Sequence, residues 1–127
     1  RYRRRLSGPL IDRFDIRIAV PRIDRQALMG PPGESTAVVR ERVMQARRCQ
    51  FSRGGLNGAL GRAALDRHRW DPAGLRLLER AFDRQEISGR GFDRIRRVAM
   101  TIADLAGSPA VGEQHVAEAL SYRGDWK

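Results

Sequence analysis

The chain has 127 residues, enough for one compact domain, and only 6% of them are aromatic, so its core must rely mainly on Leu, Ile, Val and Ala. Its single cysteine excludes an internal disulfide, and no apolar run is long enough for a transmembrane helix or a signal peptide, so we expect a cytoplasmic protein without membrane contact. A formal net charge of +10 favours a polyanionic partner such as nucleic acid or nucleotide phosphate, although a GC-rich genome also produces such an arginine bias.

The first 33 residues are predicted to stand apart from the main domain. Between residues 14 and 20 apolar side chains alternate with polar or small ones, the period of a half-buried strand, and residues 29–33, MGPPG, have the composition of a linker. A single strand is marginally stable without partners. We therefore expect residues 1–33 to be largely unstructured or to contain one strand, poorly ordered if its sheet is missing. The start in RYRRR, without a methionine, suggests a piece cut from a longer protein.

Helices are predicted from residue 34 onward. The first begins at Ser35 or Thr36, either of which can cap free amides, and ends before the pair Gly54-Gly55. Its expected inner side contains Val39, Val43, Ala46 and Gln50. Residues 56–69 predict one or two short helical turns.

The second half of the chain predicts three further helices. Asp71-Pro72 begins one of them, because aspartate caps the first turn and proline fits it. Ser88 opens the next, whose apolar residues keep helical spacing up to residues 107–109, GSP. The last spans about residues 112–121. The predicted fold is therefore mainly α, a small bundle of about four main helices over residues 34–127.

The sequence contains no recognisable catalytic or metal motif. There is no GxxxxGK[ST] loop for phosphates, and His68 and His115 have no Cys or His at ligand spacing, so no metal site is predicted. We expect His68 in a solvated turn, His115 on the surface or partly packed, and Cys49 packed as a small apolar side chain. By itself the chain is not expected to be an enzyme.

Arginines are the residues left to carry a function. Arg90, Arg94 and Arg97 lie at i, i+4 and i+7 along the third main helix. A solvated charged face accounts for Arg94 and Arg97, with Asp93 reaching Arg97. Arg90 differs because it lies in the first turn, where the helix dipole and free amides favour anions. It is therefore a candidate phosphate ligand.

Two phrases of the sequence resemble one known family. SGPLIDRFDI (7–16) and ISGRGFDRIRRVAMTIADLAG (87–107), followed by HVAEALSYR (115–123), look like the C-terminal portion of the magnesium chelatase-like AAA+ ATPases, the YifB/ComM family. The usual family wording is close to SGPLLDRID and LSxR…RVARTIADL. Three changes from it are conservative and apolar, whereas Met100 replaces an arginine.

This resemblance implies a role for each part of the chain. Residues 1–20 would end the ATPase core, and residues from about 34 would form its helical lid. Arg13 resembles the arginine finger that reaches the γ-phosphate of the neighbouring subunit, and Arg90 resembles the sensor 2 arginine. The resemblance implies ATP and Mg²⁺ as cofactors of the whole protein. Its implied partners are its own AAA+ core, neighbouring subunits in a ring, most simply a hexamer, and DNA as the substrate of a motor.

Two functions from other classes stay open at this point. A free-standing basic helical domain would bind nucleic acid with a steep salt dependence, although no helix presents side chains suited to base edges. A protein-interaction bundle would use its arginines for solubility alone. A loss of ATPase activity in the whole protein when Arg90 is substituted would distinguish the lid function from both of these alternatives.

Overall fold

The structure is a computed structural model that describes residue 10, residues 13–85 and residues 87–123. The described helices are α1 (Arg25–Met29), α2 (Thr36–Ser52), a 3₁₀ turn (Asn57–Ala59), α3 (Arg62–Arg67), α4 (Pro72–Asp83), α5 (Gly89–Leu105) and α6 (Glu113–Ser121). Four of them, α2, α4, α5 and α6, have nine or more residues, and no strand occurs within the described ranges. The predicted mainly α fold with four main helices is confirmed.

The predicted helix starts are local events that the structure reproduces. The Ser35 hydroxyl accepts a hydrogen bond from the amide of Val38 at 3.4 Å, and the Asp71 carboxylate accepts one from the amide of Ala73 at 2.9 Å. These side chains satisfy amides that the first helical turn leaves without a partner. Just after the C-terminal end of α5, Gly107 takes a positive φ of 66°, which glycine adopts without a steric cost.

Helix α5 lies at the centre of the bundle and packs against α2, α3, α4 and α6. The largest fully buried apolar side chains, on α5 and around it, are Leu65, Leu78, Ile95, Met100, Val111 and Val116. Met100 is 1% exposed, so the position where the family wording has arginine is part of the hydrophobic core here. A parallel bridge between Trp70 and Val111 joins the segments that precede α4 and α6.

Helix α2 packs against α5 only through its C-terminal half. Of its four predicted inward residues, Ala46 and Gln50 are buried, whereas Val39 and Val43 are each 37% exposed. The first ten residues of the helix are all exposed, so its N-terminal half extends beyond the core.

Residues 13–24 form an irregular segment without strand pairing. The strand indicated by the alternation over residues 14–20 does not form among the described residues, because no second strand lies beside it. Ile16, Ile18 and Val20 are exposed by 49%, 62% and 86%. The segment instead contacts the bundle, since the amide of Arg17 donates to the carbonyl of Tyr122 at 3.0 Å.

Candidate functional site

Arg90 occupies the first turn of α5, as predicted. The helix begins after Ser88, whose hydroxyl accepts a hydrogen bond from the amide of Gly91 at 3.1 Å. Arg90 itself is exposed. The start of a helix carries unpaired amides and partial positive charge, which an adjacent guanidinium reinforces. This end of α5 therefore suits an anion such as a phosphate group.

The segment that contains Arg13 is bound to the same end of α5. The Nη1 atom of Arg94 donates to the carbonyl oxygen of Arg13 at 2.6 Å and to the carboxylate of Asp15 at 2.6 Å. Arg94 follows Arg90 by four residues, about 6 Å along the helix axis. The structure thus brings the two predicted site residues to one end of one helix, with the Arg13 side chain exposed.

Arg123, in the turn that follows α6, supports the same segment. Its Nη1 atom donates to the carbonyl oxygen of Phe14 at 3.2 Å. Its Nη2 atom lies 3.5 Å from the place where a Cβ on Gly91 would be, so this guanidinium lies against the first turn of α5. Arg123 therefore lies beside the residue that follows Arg90.

Arg17 completes the attachment of this segment. In addition to its amide bond to Tyr122, its guanidinium donates to the carbonyl oxygen of Arg123. A groove of about 460 Å³ remains between the segment and the helices α5 and α6. Its polar lining includes Asp15, Arg94, Thr101 and Glu118. Sequence reasoning missed this attachment, because its partners lie 79 to 109 residues apart along the chain.

The expected solvated arginine face of α5 is therefore wrong for Arg94 and Arg97. Arg94 is 28% exposed and bound to Asp15, and the Nε atom of Arg97 donates to the carbonyl oxygen of Leu60 at 3.0 Å. Asp93 does not reach Arg97; it contacts Arg96 at 3.5 Å. Of the three arginines in the predicted stripe, Arg90 is the exposed one.

Arg96 is a buried arginine that sequence reasoning overlooked. It pairs with Asp66 at 2.7 Å, and its guanidinium lies 5.2 Å from the ring centroid of Trp70 and 5.9 Å from that of Phe92. Its position four residues after Phe92, on the apolar side of α5, was the available signal. Arg96 is 5% exposed and lies between two aromatic rings, so it contributes to the packing of the bundle and is not accessible to a ligand.

The histidines and the cysteine differ from their expected surroundings. His115 is 4% exposed, and its Nδ1 atom accepts a hydrogen bond from the amide of Gly112 at 3.0 Å, so it caps α6 instead of lying at the surface. His68 packs edge-on against Trp70, with 6.3 Å between ring centroids, and burial lowers its pKa with help from the charge of Arg53. Cys49 is exposed rather than packed.

Within the described part of the chain, no three His, Cys, Asp or Glu side chains come together as a metal ion would require. None of its helices combines the length and apolar character that crossing a bilayer demands.

Comparison with known proteins identifies related sequences along almost the whole chain. The family model described as magnesium chelatase, subunit ChlI C-terminal, matches residues 33–123, and that described as magnesium chelatase, subunit ChlI, matches residues 1–28. The Competence protein ComM of Haemophilus influenzae is 40% identical over 127 residues, which cover 97% of this chain and 25% of that protein.

Two uncharacterized bacterial proteins match similarly. One from Mycobacterium tuberculosis strain H37Rv is 40% identical over 97% of this chain and 26% of its own length. YifB of Escherichia coli K12 is 39% identical over 97% of this chain and 25% of its own length. The chain thus spans about a quarter of the length of the curated relatives it matches. These matches confirm the resemblance carried by the two phrases of the sequence.

Proposed function

The chain belongs to the magnesium chelatase subunit ChlI C-terminal family, and from this premise we propose that it is the helical lid of an AAA+ ATPase. Residues 34–127 are the lid, and residues 1–33 are the end of the ATPase core with its linker. The match of residues 1–28 to the preceding part of the same subunit supports this division. The whole protein acts in the cytoplasm as a ring, most simply a hexamer.

The observation that carries the proposal is that Arg13 and Arg90 lie at the same end of α5 with exposed side chains. Arg90 acts as the sensor 2 residue and binds phosphate oxygens together with the amides of the first turn. Guanidinium groups bind phosphate through two parallel hydrogen bonds, which fixes orientation as well as charge. A lid that binds phosphate in this way moves with the state of the nucleotide.

Arg13 acts as the arginine finger toward the nucleotide of the neighbouring subunit. The bound ATP and Mg²⁺ supply the phosphoanhydride bond and the counter-charge for its cleavage. Arg13 adds positive charge where the γ-phosphate oxygens become more negative, a contribution of roughly 10³ to 10⁵ in rate for arginine fingers. Because the chain has no phosphate-binding loop of its own, this role requires an adjacent ATPase core.

Substitutions in the full-length ATPase test the proposal. We expect Arg13→Ala to abolish ring-dependent ATP turnover while the Kd for a fluorescent nucleotide stays within about 2-fold, and Arg90→Ala to weaken nucleotide binding as well. Arg76→Ala, which removes an exposed arginine of α4, is the matched control and keeps both activities. Normal turnover by Arg13→Ala would remove it from the site.

DNA is a second candidate ligand. It would be either the substrate of the motor or a ligand that the helical domain binds by itself. The net charge of +10 and the exposed Arg40 and Arg47 of α2 favour it. Titration of the chain with a short duplex at two salt concentrations separates the cases. Contacts to phosphates give a steep loss of affinity with salt, which Arg40→Gln and Arg47→Gln would reduce.

A further inference from the structure

We propose that Arg94 and Asp15 are positioning residues for Arg13, and that they couple its position to the helix that carries Arg90. The inference rests on the proposed function of Arg13 and goes beyond it, because it assigns a role to two residues that touch no nucleotide. It follows from the contacts of the segment 13–17 with α5 and α6.

The hydrogen bonds from Arg94 to the Arg13 backbone and the Asp15 side chain form what we call the Arg94 clamp. A single nitrogen atom, Nη1 of Arg94, makes both short bonds, one to the Arg13 carbonyl oxygen and one to the Asp15 carboxylate. Arg123 holds the carbonyl oxygen of Phe14, which lies between them. Three consecutive residues are therefore each bonded to the bundle, two of them to α5 and one to the turn after α6, so the backbone from which the Arg13 side chain extends has little freedom.

Arg94 is better suited to this role than to binding a ligand. Its side chain is 28% exposed, and the carboxylate of Asp15 already neutralises it. Arg90, one turn earlier, is exposed and lies where the helix dipole attracts anions. These two of the four arginines of α5 thus have different roles: Arg90 faces the phosphate, and Arg94 holds the segment that presents Arg13.

The consequence is mechanical coupling between the two sites. Any displacement of α5 when Arg90 binds or releases phosphate also displaces the backbone of Arg13, because the clamp connects them. Reaction rates are sensitive to such shifts, since a misplacement of about 1 Å can cost roughly 100-fold. The clamp therefore links the nucleotide bound at one subunit's lid to the finger offered to the next subunit.

The first test uses NMR on the 127-residue chain. We expect Arg94→Met, which removes the donor but keeps an apolar stem, to turn the backbone of Phe14 and Asp15 from rigid to mobile in ¹⁵N relaxation. Arg94→Lys should preserve rigidity, because one ammonium nitrogen can replace the one nitrogen that makes both bonds. Unchanged relaxation in Arg94→Met would overturn the clamp.

The second test measures ATP turnover in the full-length ATPase. We expect Arg94→Met and Asp15→Ala each to lower kcat by roughly 10- to 100-fold with an unchanged KM, and Arg94→Lys to retain most of the activity. If Arg94 instead bound phosphate, Asp15→Ala would free it and tighten nucleotide binding, which would overturn the inference.

The outcomes distinguish this inference from the proposed function. Loss of turnover in Arg13→Ala, together with full kcat in Arg94→Met, would reject the positioning role and leave the finger in place. Normal turnover in Arg13→Ala would reject the finger itself. A clamp acting only through Arg13 predicts that Arg94→Met causes no further loss in single-turnover rate once Arg13 is alanine.

Discussion

Arg53 donates a 2.7 Å hydrogen bond to the carboxylate of Asp104, a residue 51 positions further along the chain. The same oxygen accepts a bond from the side-chain amide of Asn57 at 2.8 Å, and that amide also reaches the hydroxyl of Thr101 at 3.1 Å. The side chain of Asp104 is only 4% exposed. This polar network joins the segment after α2 to the C-terminal part of α5. Gln50 of α2 contacts it, because its side-chain oxygen accepts a hydrogen bond from the backbone amide of Asn57 at 3.1 Å.

Asp104→Ala should destabilise the bundle by about 2–3 kcal/mol, because it removes one of the two acceptors of the buried Asn57 amide and the carboxylate that pairs with Arg53. The estimate stays below that for a fully buried ion pair, since Arg53 is 31% exposed and keeps part of its hydration. Urea denaturation measures the change. Asp83→Ala, at the exposed end of α4, is the control and should cost less than about 0.5 kcal/mol. Equal losses in the two variants would contradict the network.

Gly74→Ala should also destabilise the protein, for a steric reason. A Cβ at this position of α4 would lie 3.2 Å from the carbonyl oxygen of Val111 and 3.2 Å from the carbonyl carbon of Gly112, both rigid backbone atoms. Separating α4 from this segment costs about 1–3 kcal/mol. Gly89→Ala is the helical control, because nothing lies within 4 Å of its Cβ position and alanine favours helix. A thermal melt that shows the same Tm change for both would refute the close approach.

The free energy of unfolding should fall as the pH drops below 6.5, the usual pKa of a histidine side chain. Burial, followed by the charge of Arg53, lowers the pKa of His68 in the folded state, so the unfolded chain binds the proton more readily. The contribution is therefore fully present above pH 6.5 and is lost as the pH falls toward the lower folded pKa. We expect the free energy of unfolding to decrease between pH 7.5 and pH 5.5 by more in the native chain than in His68→Gln. An identical decrease in both would show that His68 does not contribute.

Local signals in the sequence were sufficient for the helices but not for the site. Ser35, Asp71 and Ser88 start helices through bonds to amides two or three residues away, so their effect is visible in a short window. The position of Arg90 in a first turn follows from the same local rule.

The contacts that surround Arg13 could not be predicted in this way. Arg94 looks like a surface residue from its spacing on α5, and only the fold shows that the segment with Asp15 lies against it. Likewise, Arg96 and Asp104 carry charges that a pattern of apolar residues assigns to solvent, whereas each is buried because a partner from another helix or turn neutralises it.

The exposure of the first ten residues of α2 has a consequence for finding the limits of the domain by digestion. Helical turns without tertiary contacts are marginally stable and open on their own, independently of global unfolding. Arginines such as Arg40 and Arg42 lie in these turns and are cleavage sites for trypsin. A trypsin-resistant fragment would therefore begin inside α2, near Ala46, where the helix first meets α5, and not at the start of the helical domain.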